Sequence, residues 1–161
     1  MGRPVQIALL ALLLLALPAQ AQFDSGYNDR DSPADLLASY YDALNRQDYA
    51  RAYAYWETPP NDYNRFVAGY AETLSTQVII QPPTRIEGAA GSLYVAVPTV
   101  LLVQTRTGTE QMFAGCFTVR KSNLPPETSP DLAWSLYDAN LVRVAVNYAA
   151  IPSLLTAACP I

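Results

Sequence analysis

Histidine is absent from all 161 residues, which removes the side chain that titrates near neutral pH and the commonest metal ligand. Cysteine occurs only twice, at Cys116 and Cys159, and two thiols without histidine are too few for a zinc site. No glycine pattern matches a phosphate-binding loop, and the serines and threonines have no histidine to activate them. Basic side chains number 10 against 14 acidic, for a formal charge of -4 with no basic run, so nucleic acid and anionic membrane surfaces are poor partners. Neither a metal nor a cofactor is expected from these residues.

Apolar runs are also short. The longest, Ile7 to Leu17, has 11 residues, too few to span a bilayer that needs roughly 20. Arg3 precedes the run and Ala19-Gln20-Ala21 follows Pro18, the pattern of a cleaved export signal over residues 1–21. Its removal takes the charge from -4 to -5 and implies a periplasmic or secreted protein with no membrane segment after cleavage. In an oxidising compartment an even pair of cysteines normally closes, with two buried free thiols as the alternative. Residues 22–31 are polar and aperiodic and read as a flexible linker, which leaves 32–161 as one domain.

Three short amphipathic helices are expected first. Ser32-Pro33 opens one with an N-cap and a proline at the first helical position, and Leu36, Leu37, Tyr40, Tyr41 and Leu44 share its inner face while Asp42 points to solvent. Asp48 caps a second, with Tyr49, Ala52, Tyr53 and Trp56 inward. Asn61 or Asp62 caps a third, with Tyr63, Phe66, Val67, Tyr70 and Leu74 on one stripe. Tyrosine is a costly choice for a core because each buried hydroxyl needs a partner.

Strands follow: Ser75 to Gln81, a continuation over 84–87, then a long hairpin from Ser92 to Lys121, and a last strand over 132–146. A two-residue loop at Thr107-Gly108 would pair Leu102 with Phe113, Val100 with Gly115 and Pro98 with Phe117 on one face. Val97, Thr99, Leu101 and Val103 would then share the other with Cys116, Ala114 and Met112. Both faces are apolar, so both require cover. Helices cover the first. The apolar tail after 147 is expected to fold over the second, fixed by a Cys116–Cys159 disulfide. Pro98 has no N–H for a ladder and marks an edge or bulge.

Helices preceding a bent antiparallel sheet make an α+β pattern. The segment YYDALNRQDYARAYAYW at 40–56, the VPT strand at 97–99, the hairpin tip at Gly108, the return strand Phe113-x-Gly115-x-Phe117 and the strand opened by Trp134 resemble exported nuclear transport factor 2-like (SnoaL-like) domains. The resemblance spans residues 33–146. It implies a cone: three helices on a strongly curved sheet of about four strands, with a cavity at the mouth. Tyr40, Tyr53, Trp56, Tyr70, Phe113 and Phe117 are the ligand-binding candidates, the first four facing Leu102, Phe113 and Phe117 across that cavity.

Three functions remain open. The first is a binding module for a small apolar or ring-bearing ligand. The second is a homodimeric scaffold or accessory subunit of an envelope assembly. The third is an isomerase or dehydratase using carboxylate and tyrosine chemistry, with Asp138 as the candidate base because strand alternation places it with Trp134, Leu136, Asn140 and Val142. The enzymatic members of the family it resembles use a carboxylate base in the cavity, often with histidine or with paired acid and tyrosine donors, and this chain lacks the histidine.

Overall fold

The structure is a computed structural model that describes residues 26–83, 86–125 and 131–159. The expected signal over 1–21 lies outside the described residues. Three helices come first: α1 (Pro33–Asn45), α2 (Tyr49–Ala54) and α3 (Tyr63–Gly69). Each is opened by the side chain of its N-cap, Ser32, Asp48 and Asp62, accepting a backbone N–H three residues on. The strands are β1 (Thr73–Ile80), β2 (Ile86–Ala89), β3 (Ser92–Thr105), β4 (Glu110–Ser122) and β5 (Ser135–Val144), all antiparallel. The order across the sheet is β1-β3-β4-β5, with β2 following β1 along the same edge of β3. Pro98 sits in the gap between them, where Gln81 N–H donates to its carbonyl at 3.0 Å, so its missing N–H interrupts no ladder. A one-turn 3-10 segment and α4 (Ile151–Ala157) end the chain.

The hairpin register is one residue away from the expected one. Thr105 N–H donates to the Thr109 carbonyl at 2.9 Å, and Gly108, at φ 81°, closes a three-residue loop through its N–H to Thr105 O. A type I turn followed by a left-handed glycine uses the lone glycine as well as a two-residue loop would. The shift moves every β3 side chain to the other face relative to β4. Leu101 thus pairs with Phe113, Val97 with Phe117, Thr99 with Gly115 and Pro98 with Cys116. Leu102 therefore does not face the helices. The front face carries Val95, Val97, Leu101, Val103, Phe117 and Val119 against Leu36, Leu37, Tyr40 and Tyr41 of α1. The back face gathers Val100, Met112 and Ala114 with Leu102 partly buried beside them.

The tail covers that back face. Leu155 of α4 is buried against Val100, Met112 and Ala114, and Cys116 is bonded to Cys159 with a Cα separation of 5.1 Å. Because β3 is shifted, Cys116 shares its face with Val100 and Leu102, not with Val97, Leu101 and Val103 as expected.

Three local expectations also change. The last six residues of the supposed linker are tied to the fold: Asp29 N–H donates to Ser39 Oγ at 2.7 Å, Tyr55 donates its hydroxyl proton to Asn28 at 2.7 Å, and Trp134 N–H reaches Arg30 O. Asp42 is not a solvated charge. It accepts from Tyr27 N–H, Arg46 and Arg51, and although burial acts to raise its pKa, the hydrogen bonds from the two guanidiniums outweigh this and hold it below the usual carboxylate value. Leu74 belongs to β1 and is exposed, outside the α3 stripe.

Candidate functional site

A half-open cavity of about 560 Å³ lies between α1, the α2–α3 connection, the end of α3 and the front of the sheet. Its position follows from how α1 is fixed. Asn45, the last residue of α1, donates to Thr76 O at 2.9 Å and accepts from Thr76 N–H at 2.7 Å, so one side chain satisfies an edge residue of β1 and anchors the helix there. The inner turns of α1 then bring Tyr40 and Tyr41 over Phe117, with ring centroids at 6.4 and 6.3 Å in edge-to-face orientation.

Trp56 enters by a route the helical spacing did not show. α2 stops at Ala54, and the chain crosses to the start of β5: Leu136 N–H donates to Tyr55 O at 2.8 Å and Glu57 N–H to Leu136 O at 2.9 Å. Trp56 thereby forms an isolated parallel bridge with Leu136, and its indole stands against Tyr40 and Phe117. Tyr70, the C-cap of α3, completes the wall by joining its hydroxyl to that of Tyr40 at 2.8 Å.

Five of the six aromatic candidates line the cavity: Tyr40, Trp56, Tyr70, Phe113 and Phe117. Tyr53 does not. Its ring packs on Tyr63 and Phe66 and its hydroxyl donates to Asn61 O at 3.0 Å. Leu102, on the back face, is replaced in the wall by Leu101 and Val103. Sequence reasoning also missed Tyr41, which alternation on α1 had placed inward without assigning it to the cavity, together with Tyr137 and Glu72.

Asp138 lies at the edge of the cavity, but its pairing with Thr118 sets its side chain on the sheet face opposite Phe117. Between Leu136, paired with Val119, and Asp138, paired with Thr118, β5 carries Tyr137 as an extra residue. That bulge breaks the alternation, so Leu136 and Asp138 do not share a face as the even spacing predicted. Both Tyr137 and Asp138 are exposed at the rim and line the opening.

The tyrosine hydroxyls of the inner wall keep their protons. Burial raises the pKa of Tyr40 well above the usual phenol value, with the neighbouring Tyr70 and Tyr41 adding to it, and burial raises Tyr70 and Tyr41 likewise. All three hydroxyls therefore stay protonated across the physiological range. The Trp56 indole N–H is buried with no aligned hydrogen-bond partner, although it lies beside the Tyr40 hydroxyl. A smaller cavity of about 290 Å³ adjoins the first through Tyr40, Trp56, Pro60, Gly69 and Tyr70, and Arg65 lines its other side. Among the described residues no cluster of three or more metal-ligating side chains occurs, and no helix is long and apolar enough to cross a membrane. Comparison with family models, curated proteins and solved structures finds no match to this chain.

Proposed function

We propose that this chain is an exported nuclear transport factor 2-like domain, its helices and sheet forming a cone, whose cavity binds a small apolar or ring-bearing ligand. The observation that carries the reading is the cavity itself: about 560 Å³, within the range of small-molecule sites, walled by aromatic rings from α1, the α2–α3 connection, α3 and β4, with a few polar groups converging on it. A wall of rigid rings loses little conformational entropy when a ligand packs against it. The order of helices before an antiparallel sheet supports the family reading, and the Cys116–Cys159 bond is compatible with an oxidising, extracytoplasmic location.

Native mass spectrometry of the protein taken from its source should show a bound small molecule, and Trp56 fluorescence should respond to ring-bearing compounds. Phe113→Ala should weaken that response because it removes one wall. Absence of both a co-purifying mass and any response across a panel of ring compounds at millimolar concentration would defeat the reading.

A second reading has one observation in its favour. Asp138 is among the residues at the opening of the cavity that holds the Tyr40–Tyr70 hydroxyl pair, and a carboxylate with phenolic donors is the set of residue types that an isomerase or dehydratase would use. Asp138→Asn separates the two readings: it abolishes turnover on a carbonyl or hydroxy substrate if the site is catalytic, and leaves uncharged ring compounds bound as before if it only binds.

A further inference from the structure

Two hydroxyls on the cavity wall lack a partner. Tyr41 is 4% exposed and Thr76 6%, and both line the cavity. Among the described residues neither side-chain oxygen takes part in a hydrogen bond. Neither is sealed off as the Trp56 indole nitrogen is, so each opens on the cavity. Their neighbours are engaged: Tyr40 and Tyr70 join hydroxyls at 2.8 Å, and the Thr105 hydroxyl serves the hairpin tip through Thr107 and Thr109.

The fold sets both free hydroxyls on the α1–β1 side of the cavity. Tyr41 stands one turn before Asn45 on α1, so the two share a helix face, and the Asn45 side chain is bonded to the backbone of Thr76. Thr76 in turn pairs with Val103 on the front of the sheet. The wall beside them is apolar, made by Leu101, Val103, Phe113 and Phe117. Solvent serves a hydroxyl in an empty cavity, but a ligand that displaces the solvent must offer an oxygen in its place or leave the hydroxyl unbonded at a cost.

Charge has no place in this part of the wall. Among the described residues no lysine or arginine lines the cavity, Asp138 points to the other sheet face, and Glu72 is exposed just before β1. A carboxylate ligand would lose its hydration here with no cation to replace it. Burial raises the Tyr41 pKa well above the usual phenol value, so this hydroxyl keeps a proton to donate.

From two unpartnered, deeply placed hydroxyls in an otherwise apolar wall, we infer that the cavity takes a neutral ring-bearing molecule with an uncharged acceptor oxygen, such as a carbonyl, and that Tyr41 and Thr76 select it. This rests on the cavity being a ligand site, as proposed above, and names the functional group its ligand carries. The ring packs against Phe113 and Phe117, and the oxygen accepts from Tyr41 and Thr76.

The test is calorimetric titration of the intact mature protein with three probes of one size: acetophenone, α-methylstyrene, in which a methylene replaces the carbonyl oxygen, and benzoate. Benzoate should be the weakest. In the Tyr41→Phe/Thr76→Val variant the ketone should lose about tenfold in affinity relative to the parent protein. The hydrocarbon should bind that variant as before, which also shows that the fold is intact. The carbonyl stretch of acetophenone bound to the parent protein should lie below its position in a hydrocarbon solvent, a reading that needs no variant. A ketone affinity that survives the double substitution, a bound stretch equal to that in hydrocarbon, or tighter binding of benzoate than of the ketone overturns the assignment while leaving the cavity a binding site. Failure of all three probes to bind at millimolar concentration overturns both.

Discussion

The carbonyl of Asn140 lies directly over Gly115: a Cβ built on the glycine falls far inside contact distance of that oxygen and only 2.8 Å from Leu141 Cα. The overlapping atoms are all backbone of β5, so no side-chain rotation relieves the overlap. Here β5 runs along β4 past its bulge, with Gly115 opposite Leu141. Gly115→Ala should therefore force the two strands apart and cost at least about 3 kcal/mol. Urea unfolding measures it, and a loss under about 1 kcal/mol would show that β5 does not approach so closely.

Phe113 and Phe117 are two positions apart on the same face of β4, yet they hold different environments. Phe117 is 2% exposed within the core, while Phe113 is partly open to the cavity. Phe117→Ala should cost about 3 to 5 kcal/mol, the sum of lost transfer energy and a new void. Phe113→Ala only enlarges a space that already exists, so about 1 to 2 kcal/mol is expected. Equal losses at both positions would mean that the cavity is closed around Phe113.

Local signals in the sequence were legible where one side chain decides the outcome. Ser32, Asp48 and Asp62 each cap a helix because a short oxygen-bearing side chain satisfies an otherwise orphaned N–H. The aromatic character of the wall was legible too, through Tyr40, Trp56, Tyr70, Phe113 and Phe117. Register was not. When both faces of a hairpin are apolar, a slip of one residue exchanges one set of hydrophobic side chains for another, and a single glycine at 108 suits two loop lengths. The β5 bulge was equally silent, since nothing in Leu136-Tyr137-Asp138 distinguishes an extra residue from a regular one. Glu72 and Tyr137 were missed for a related reason: one stands just before β1 and the other is the extra residue of the β5 bulge, and at both places periodicity no longer determines direction.

Asp42 provides the clearest pH dependence. Its carboxylate gathers Tyr27 N–H, Arg46 and Arg51, tying the segment before α1 to α1 and α2. A carboxylate whose folded pKa is depressed contributes stability above its unfolded value, near 3.9, and that contribution disappears as pH falls through the lower folded value. Asp42→Asn should thus cost about 1 to 3 kcal/mol at pH 7, and the gap to the parent protein should narrow below about pH 4. A gap that is constant from pH 7 to pH 3 would assign the loss to packing alone.

The Tyr40–Tyr70 bond joins α1 to the end of α3 through two hydroxyls 2.8 Å apart. Tyr70→Phe removes one partner and leaves the Tyr40 hydroxyl buried beside the Trp56 N–H, also without an aligned partner, so a loss of about 1 to 2 kcal/mol is expected. Tyr40→Phe/Tyr70→Phe removes both hydroxyls and should cost less than twice the single change. Strict additivity in that cycle would mean that the two hydroxyls do not interact.

The tail makes the final prediction because two independent interactions hold it. Leu155 of α4 is buried on Val100, Met112 and Ala114, and the Cys116–Cys159 bond closes a segment with a sequence separation of 43. A loop of that size restricts the unfolded chain enough to contribute about 4 kcal/mol in the chain-entropy model. Cys116→Ser/Cys159→Ser should therefore destabilise the protein by about 2 to 4 kcal/mol. Thiol titration of the denatured parent protein without reductant should find no free thiol. Loss of the bond alone leaves Leu155 in place, so the variant should remain monomeric if the parent is. Adding Leu155→Asp sets a charge against the back-face cluster and should lift α4 away, baring Val100, Met112 and Leu102 to solvent. Two chains exposing such a face are driven together by its burial. Sedimentation should then show concentration-dependent association in the triple variant and not in the double one. Association already present at the same strength in the parent would mean that α4 does not shield this face, and that the back of the sheet is a surface between copies.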